Sequence, residues 1–67
     1  MNVKKLKEKI SEANLTGEMV SSTIGIDQST YYRKLNTEGE NFTVAQAKKL
    51  ASLLNLSGKE AAEIFLS

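Results

Sequence analysis

Apolar residues recur along this chain at intervals of three and four. Val3, Leu6, Ile10 and Ala13 make one stripe, and Val44, Ala47, Leu50, Ala51 and Leu54 make another. That is the period of a helix with one buried face, and alternation of the strand kind is sustained nowhere. The starts of the segments repeat a local pattern. Thr16, Asp27, Thr43 and Ser57 are residue types whose side-chain oxygen caps the free N–H groups of a first turn. An apolar residue precedes each (Leu15, Ile26, Phe42, Leu56), and an apolar or small one stands four positions beyond (Val20, Tyr31, Ala47, Ala61). This is the spacing of the hydrophobic staple. Thr43 with Gln46 and Ser57 with Glu60 also have the spacing of a capping box.

The pattern predicts an all-α fold of five short helices, at about 3–13, 17–24, 28–36, 44–54 and 58–66. The longest connection, NTEGENF from Asn36 to Phe42, reads as a turn-rich loop. A chain of 67 residues makes one domain, spanning 1–67. It has neither cysteine nor histidine, so disulfides and zinc do not hold it, and helix packing must. No apolar run approaches the roughly 20 residues of a membrane span, so a soluble, intracellular protein is expected.

Helices 2 and 3 are separated only by Gly25, Ile26 and Asp27. Gly25 suits the left-handed position that closes a helix, Ile26 is expected to point inward, and Asp27 caps the next helix. Two short helices joined by so short a glycine turn have the form of a helix-turn-helix, though a plain helical hairpin has it too. The third helix separates the two. At about 100° per residue, Tyr31 and Leu35 fall on one side, while Ser29, Arg33 and Asn36 fall opposite, with Gln28 and Tyr32 at the edge. Solvated faces are usually rich in Glu and Lys. This one carries side chains that hydrogen-bond to base edges and phosphates. Arg33 has the fork for guanine O6 and N7, Gln28 the amide for adenine N6 and N7, and Lys34 on the flank suits a phosphate.

The stretches LTGEMVSSTIGIDQSTYYRKL and FTVAQAKKLASLLNLS resemble the phage repressor and Cro-type helix-turn-helix proteins, the XRE-like family. The resemblance covers about residues 3–57, and a C-terminal helix often follows in that family. It rests on Leu15-Thr16, the Gly25 turn, the run from Ser29 to Leu35 and the Ala-x-x-Leu-Ala-x-x-Leu pattern of helix 4. It implies a compact lambda-repressor-like domain, a regulator of transcription that reads operator DNA with helix 3 in the major groove, in the cytoplasm of a bacterial host and on its nucleoid. It also places the start of helix 2, Thr16 and Gly17 here, against phosphate. The sequence departs from the family twice: Gly17 stands where Gln is common, and Ser21 where a small Ala is usual.

Net charge adds little, at +1. Lys4, Lys5, Lys7 and Lys9 crowd the start, Arg33 and Lys34 adjoin, Lys48 and Lys49 adjoin, and Glu38, Glu40, Glu60 and Glu63 lie in the second half. The near-neutral total keeps a rival in view, a helical protein-interaction module with the same fold and no grip on DNA. Enzyme activity is not expected, because His and Cys, the commonest acid–base and nucleophilic groups, are missing. No cofactor, metal, membrane or small-molecule substrate is expected either; Glu38 with Glu40 is a weak metal candidate, and Glu8 and Glu12 read as solvated partners of nearby lysines. A single small module reads few bases, so a weak homodimer, formed on DNA, is the expected working unit. Helix 5 is its expected source: Ala61, Ile64 and Phe65 share a core face, and Leu66 is left over.

Overall fold

The computed structural model describes residues 1–36 and 42–66. Among them five helices follow one another: α1 (Val3–Glu12), α2 (Gly17–Ile24), α3 (Gln28–Asn36), α4 (Val44–Leu53) and α5 (Gly58–Phe65). The fold is all-α. Ala13, Leu54 and Leu66, expected inside helices, are instead the residues that close α1, α4 and α5. Glu38, Glu40 and most of the NTEGENF stretch lie outside the described residues.

Every helix start is held by its own side chain. Thr16, Thr43 and Ser57 accept from the N–H groups of Met19, Gln46 and Glu60, and both capping boxes close. Asp27 Oδ2 accepts from the Thr30 amide at 3.2 Å. Asn2, which the sequence pattern did not single out, caps α1 through the Lys5 amide at 3.1 Å. A cap of this kind is worth about 1 kcal/mol, a large share of what a thin core supplies.

The helix ends repeat one device as well. Asn14, Gly25 and Asn55 all have positive φ, at 56°, 80° and 54°. An apolar residue follows each and returns its N–H to the previous helix: Leu15 to Ile10 O, Ile26 to Ser21 O and Leu56 to Ala51 O. Next in each case comes the N-cap of the following helix. This is the Schellman closure, with asparagine in the role glycine usually takes. The joint between α2 and α3 is thus built like those between α1 and α2 and between α4 and α5.

The core is assembled from every helix. Leu6, Val20, Leu50 and Ile64 are fully enclosed, Tyr31 is 2% exposed, and Ile10, Ile24, Leu35 and Phe42 complete it. Leu15, Ile26 and Leu56, the inward residues of the three joints, pack partly buried against it. Two members of the predicted stripes are exposed. Ala13 is exposed past the end of α1. Val44, in the first turn of α4, is 74% exposed at the rim of a groove that α5 lines without covering it.

α2 packs on both α3 and α4, while α1 packs on α5. The second seam is closed partly by charge. Lys5 pairs with Glu63, and Lys9 Nζ lies 2.5 Å from Glu60 Oε2 and 3.8 Å from Glu12 Oε1. The Asn2 N–H donates to Ile64 O at 2.6 Å, which ties the start of α1 to the end of α5.

Candidate nucleic-acid interface

The surface of α3 is set by what its other side must do. Tyr31 and Leu35 fill the core, so the helix can only turn Gln28, Ser29, Tyr32, Arg33 and Asn36 to the outside, and all five are exposed. Lys34 lies half-buried on the flank with its ammonium 5.7 Å from the centre of the Phe42 ring, a cation–π approach. α3 itself carries no acidic residue. Burial pushes the Tyr31 hydroxyl above its ordinary pKa, with its neighbour Tyr32 adding to the effect.

The turn before α3 positions that surface. Gly25 takes φ 80° and ψ 29°, where a Cβ would be strained. Ser21, under the turn, is 2% exposed and donates its hydroxyl to Glu18 O at 3.2 Å. The serine therefore packs like the small residue the position needs, with its polar atom returned to the backbone. Asp27 then collects three donors on one carboxylate oxygen: Ser29 Oγ at 2.7 Å, Thr30 N at 3.2 Å and Thr30 Oγ1 at 3.1 Å. The Ser29 hydroxyl above all, then the Thr30 amide and hydroxyl, hold this carboxyl below its ordinary pKa. A full negative charge thus stands at the start of α3, stabilised by the helix N-terminus it caps.

The expected site residues are not equally placed for outside contact. Gln28 and Arg33 stand exposed on α3, and Ser29 is exposed but donates its hydroxyl to Asp27. Asn36 is engaged within the protein: its amide nitrogen donates to Tyr32 O at 2.8 Å, and its Oδ1 accepts from Lys7 Nζ at 3.3 Å. Asn36 is therefore a tie between the end of α3 and α1. The Thr16 hydroxyl accepts from the Met19 amide at 3.1 Å. Gly17 has a steric role that its sequence position did not disclose. A Cβ built there would lie 2.0 Å from Tyr32 Oη and 2.5 Å from Tyr32 Cζ. The Tyr32 ring rests on the bare backbone that opens α2, and it meets the Tyr31 ring edge-to-face at 5.2 Å and 60°.

Beneath Tyr32 runs a cleft of about 490 Å³, bordered by Lys7, Ser11, Gly17, Tyr32 and Asn36. Lys7 was not among the expected site residues. The sequence gives only its membership of the lysine-rich start, and packing decides which lysine of α1 faces α3. Lys5 and Lys9 turn to α5 and its acids, and Lys7 turns to Asn36.

Among the described residues no group of three or more potential metal ligands occurs, and no helix is long and apolar enough to cross a membrane. No protein-family model matches the chain, and no curated protein or solved structure does.

Proposed function

We propose that this protein binds double-stranded DNA sequence-specifically, as a transcriptional regulator of the phage or prophage repressor type, with α3 laid in the major groove. The observation that carries this reading is the outer face of α3: Gln28, Ser29, Tyr32 and Arg33 are exposed on an acid-free helix whose opposite face is locked into the core. The major groove is wide enough, at about 12 Å, to admit a helix and offers each base pair's own donor and acceptor pattern. Arg33 is assigned to guanine, Gln28 and Ser29 to neighbouring base edges, and Lys34 and Lys7 to phosphates on the flanks. Thr16 and Gly17 lie beside the same strand's backbone, and Asn36 contributes by holding Lys7. The working location is the bacterial cytoplasm, on DNA.

Titrating duplex binding against salt tests this. Each phosphate neutralised should contribute about −0.9 to the slope of log K against log salt. Failure to bind any duplex from a random-sequence library, or binding indifferent to salt, refutes the reading.

The rival, a protein-only module, has one observation in its favour. A groove of about 290 Å³ between α4 and α5 is lined by Phe42, Val44, Ala51, Phe65 and Leu66, and Leu66 is 83% exposed. On the DNA-binding reading the same apolar surface supplies a weak homodimer that forms on paired half-sites about one helical turn apart. Sedimentation with and without a two-half-site duplex tests the pairing. One chain per palindromic site, with no second binding event, removes the dimer.

A further inference from the structure

The contact between Gly17 and Tyr32 assigns Tyr32 a role different from that of its neighbours on α3. This inference rests on the DNA-binding reading and divides the residues of the α3 face by task. Tyr32 is 46% exposed, yet its ring packs on neighbours within the protein. The hydroxyl end lies over Gly17 at the start of α2, and the edge of the ring meets Tyr31. Its own carbonyl is taken up by the Asn36 amide, which is tied in turn to Lys7 of α1. The ring therefore bridges the first residue of α2 and the middle of α3. The two helices are joined by the turn and, at the far end of α2, by this ring on glycine.

We propose that Gly17 and Tyr32 act as one unit, a brace that fixes the angle of α3 against α2, and that Tyr32 is a positioning residue without a part in base discrimination. Discrimination then rests on Gln28, Ser29 and Arg33. Gly17 is required for the brace because a Cβ there would overlap Oη and Cζ of the ring. Because these atoms are the far end of a side chain, the substitution displaces the ring rather than the helix. An alanine there leaves α2 helical, indeed favours it, and expels the ring. Loosening the brace lowers the fraction of molecules that hold α3 at the binding angle. A reduced competent fraction weakens every ligand of that state by the same factor.

A double-mutant cycle on Gly17→Ala and Tyr32→Ala tests this in the full chain. Binding is measured to the tightest duplex recovered from a random-sequence library and to poly(dI-dC), and the Tyr32 ring is followed by its aromatic carbon–proton signals. Each single variant is expected to weaken both duplexes by one common factor, leaving their ratio unchanged. The double variant should be no weaker than Tyr32→Ala alone, and Tyr32→Phe, which keeps the ring over Gly17, should bind like the parent. Arg33→Ala, as the contrast, should cut the ratio about tenfold or more. The brace is overturned if Tyr32→Ala cuts the ratio as Arg33→Ala does, or if the two alanine effects multiply independently. If the parent protein binds neither duplex, the DNA-binding reading falls by itself. The ring signals still decide the contact, since a Tyr32 resonance unmoved by Gly17→Ala overturns it.

Discussion

Two surfaces of this small domain use their cations in opposite ways. Along the seam of α1 and α5, Lys5 and Lys9 are matched to Glu63 and Glu60, and the charge is spent on holding two helices together. Along α3, Arg33 and Lys34 belong to a helix with no acid of its own, and Asp27 just before it is turned into the first turn as a cap. A net charge of +1 conceals this division. Charges that cancel in the total are arranged differently on the two surfaces, so the sum says little about what either surface can attract.

The largest effect is expected inside the core. Tyr31 is the core anchor that dictates which side of α3 faces out. Tyr31→Ala should cost about 3–5 kcal/mol in urea unfolding, enough to lose the folded state of so small a domain. Next comes the outer face. Arg33→Ala should leave the unfolding midpoint in place and remove about 1–3 kcal/mol of discrimination between preferred and unrelated duplexes. Lys9→Ala should do the reverse, lowering stability while sparing duplex preference. If Lys9→Ala changes preference and Arg33→Ala changes only stability, the assignment of the two surfaces is inverted.

The joint between α2 and α3 gives a smaller effect. Gly25→Val places a β-branched residue at φ 80° and should cost about 1–3 kcal/mol. Gly25→Asn should cost well under that, because Asn14 and Asn55 already close helices in this way in the same chain. Equal losses for the two variants would mean that the glycine is needed for something other than its φ.

Helix starts were legible in the sequence because a cap and its staple are local, within about five residues. Thr16, Asp27, Thr43 and Ser57 announced themselves, and the faces of α3 followed from its period. Helix ends were less legible, since asparagine visits the left-handed region only on some occasions, and nothing local marks Asn14 or Asn55 as such. Contacts between distant residues were not legible at all. That Lys9 meets Glu60, that Lys7 meets Asn36 and that Tyr32 rests on Gly17 depend on how helices cross, which the periodicity of single helices does not contain.

The seam and the α3 face should also separate by pH. The Glu60 carboxyl is pulled from its ordinary 4.5 down to about 2, first by the Lys9 ammonium and then by the Ser57 amide. A carboxyl lowered in the folded state contributes stability above its unfolded pKa and loses it as pH falls through the folded one. Stability should therefore decline between about pH 4.5 and pH 2. Lys9 is raised above 10.5, first by its hydrogen bond to Glu60, so its contribution is complete below that value and fades only as pH rises beyond it. Thermal melts of Glu60→Gln, which keeps an acceptor for the Ser57 amide, should show a shallower acid decline. An unchanged acid slope would show that the seam does not depend on this pair.

The smallest effect is expected from the negative charge beside the proposed reading face. Asp27 is ionised in the neutral range, and donation from Ser29 and Thr30 holds its carboxyl lower still than its ordinary pKa. It opposes any phosphate that approaches the start of α3. Asparagine is an equally good N-cap, so Asp27→Asn should keep the helix start while removing that repulsion. Duplex affinity should rise by about two- to fivefold at low salt and by less at high salt, since an exposed charge is screened over about 10 Å at 0.1 M. The preference between duplexes should be unaltered. If affinity falls instead, the carboxylate itself contacts DNA, accepting from an exposed base amine as acidic side chains do with cytosine, and Asp27 joins Gln28, Ser29 and Arg33 as a reader.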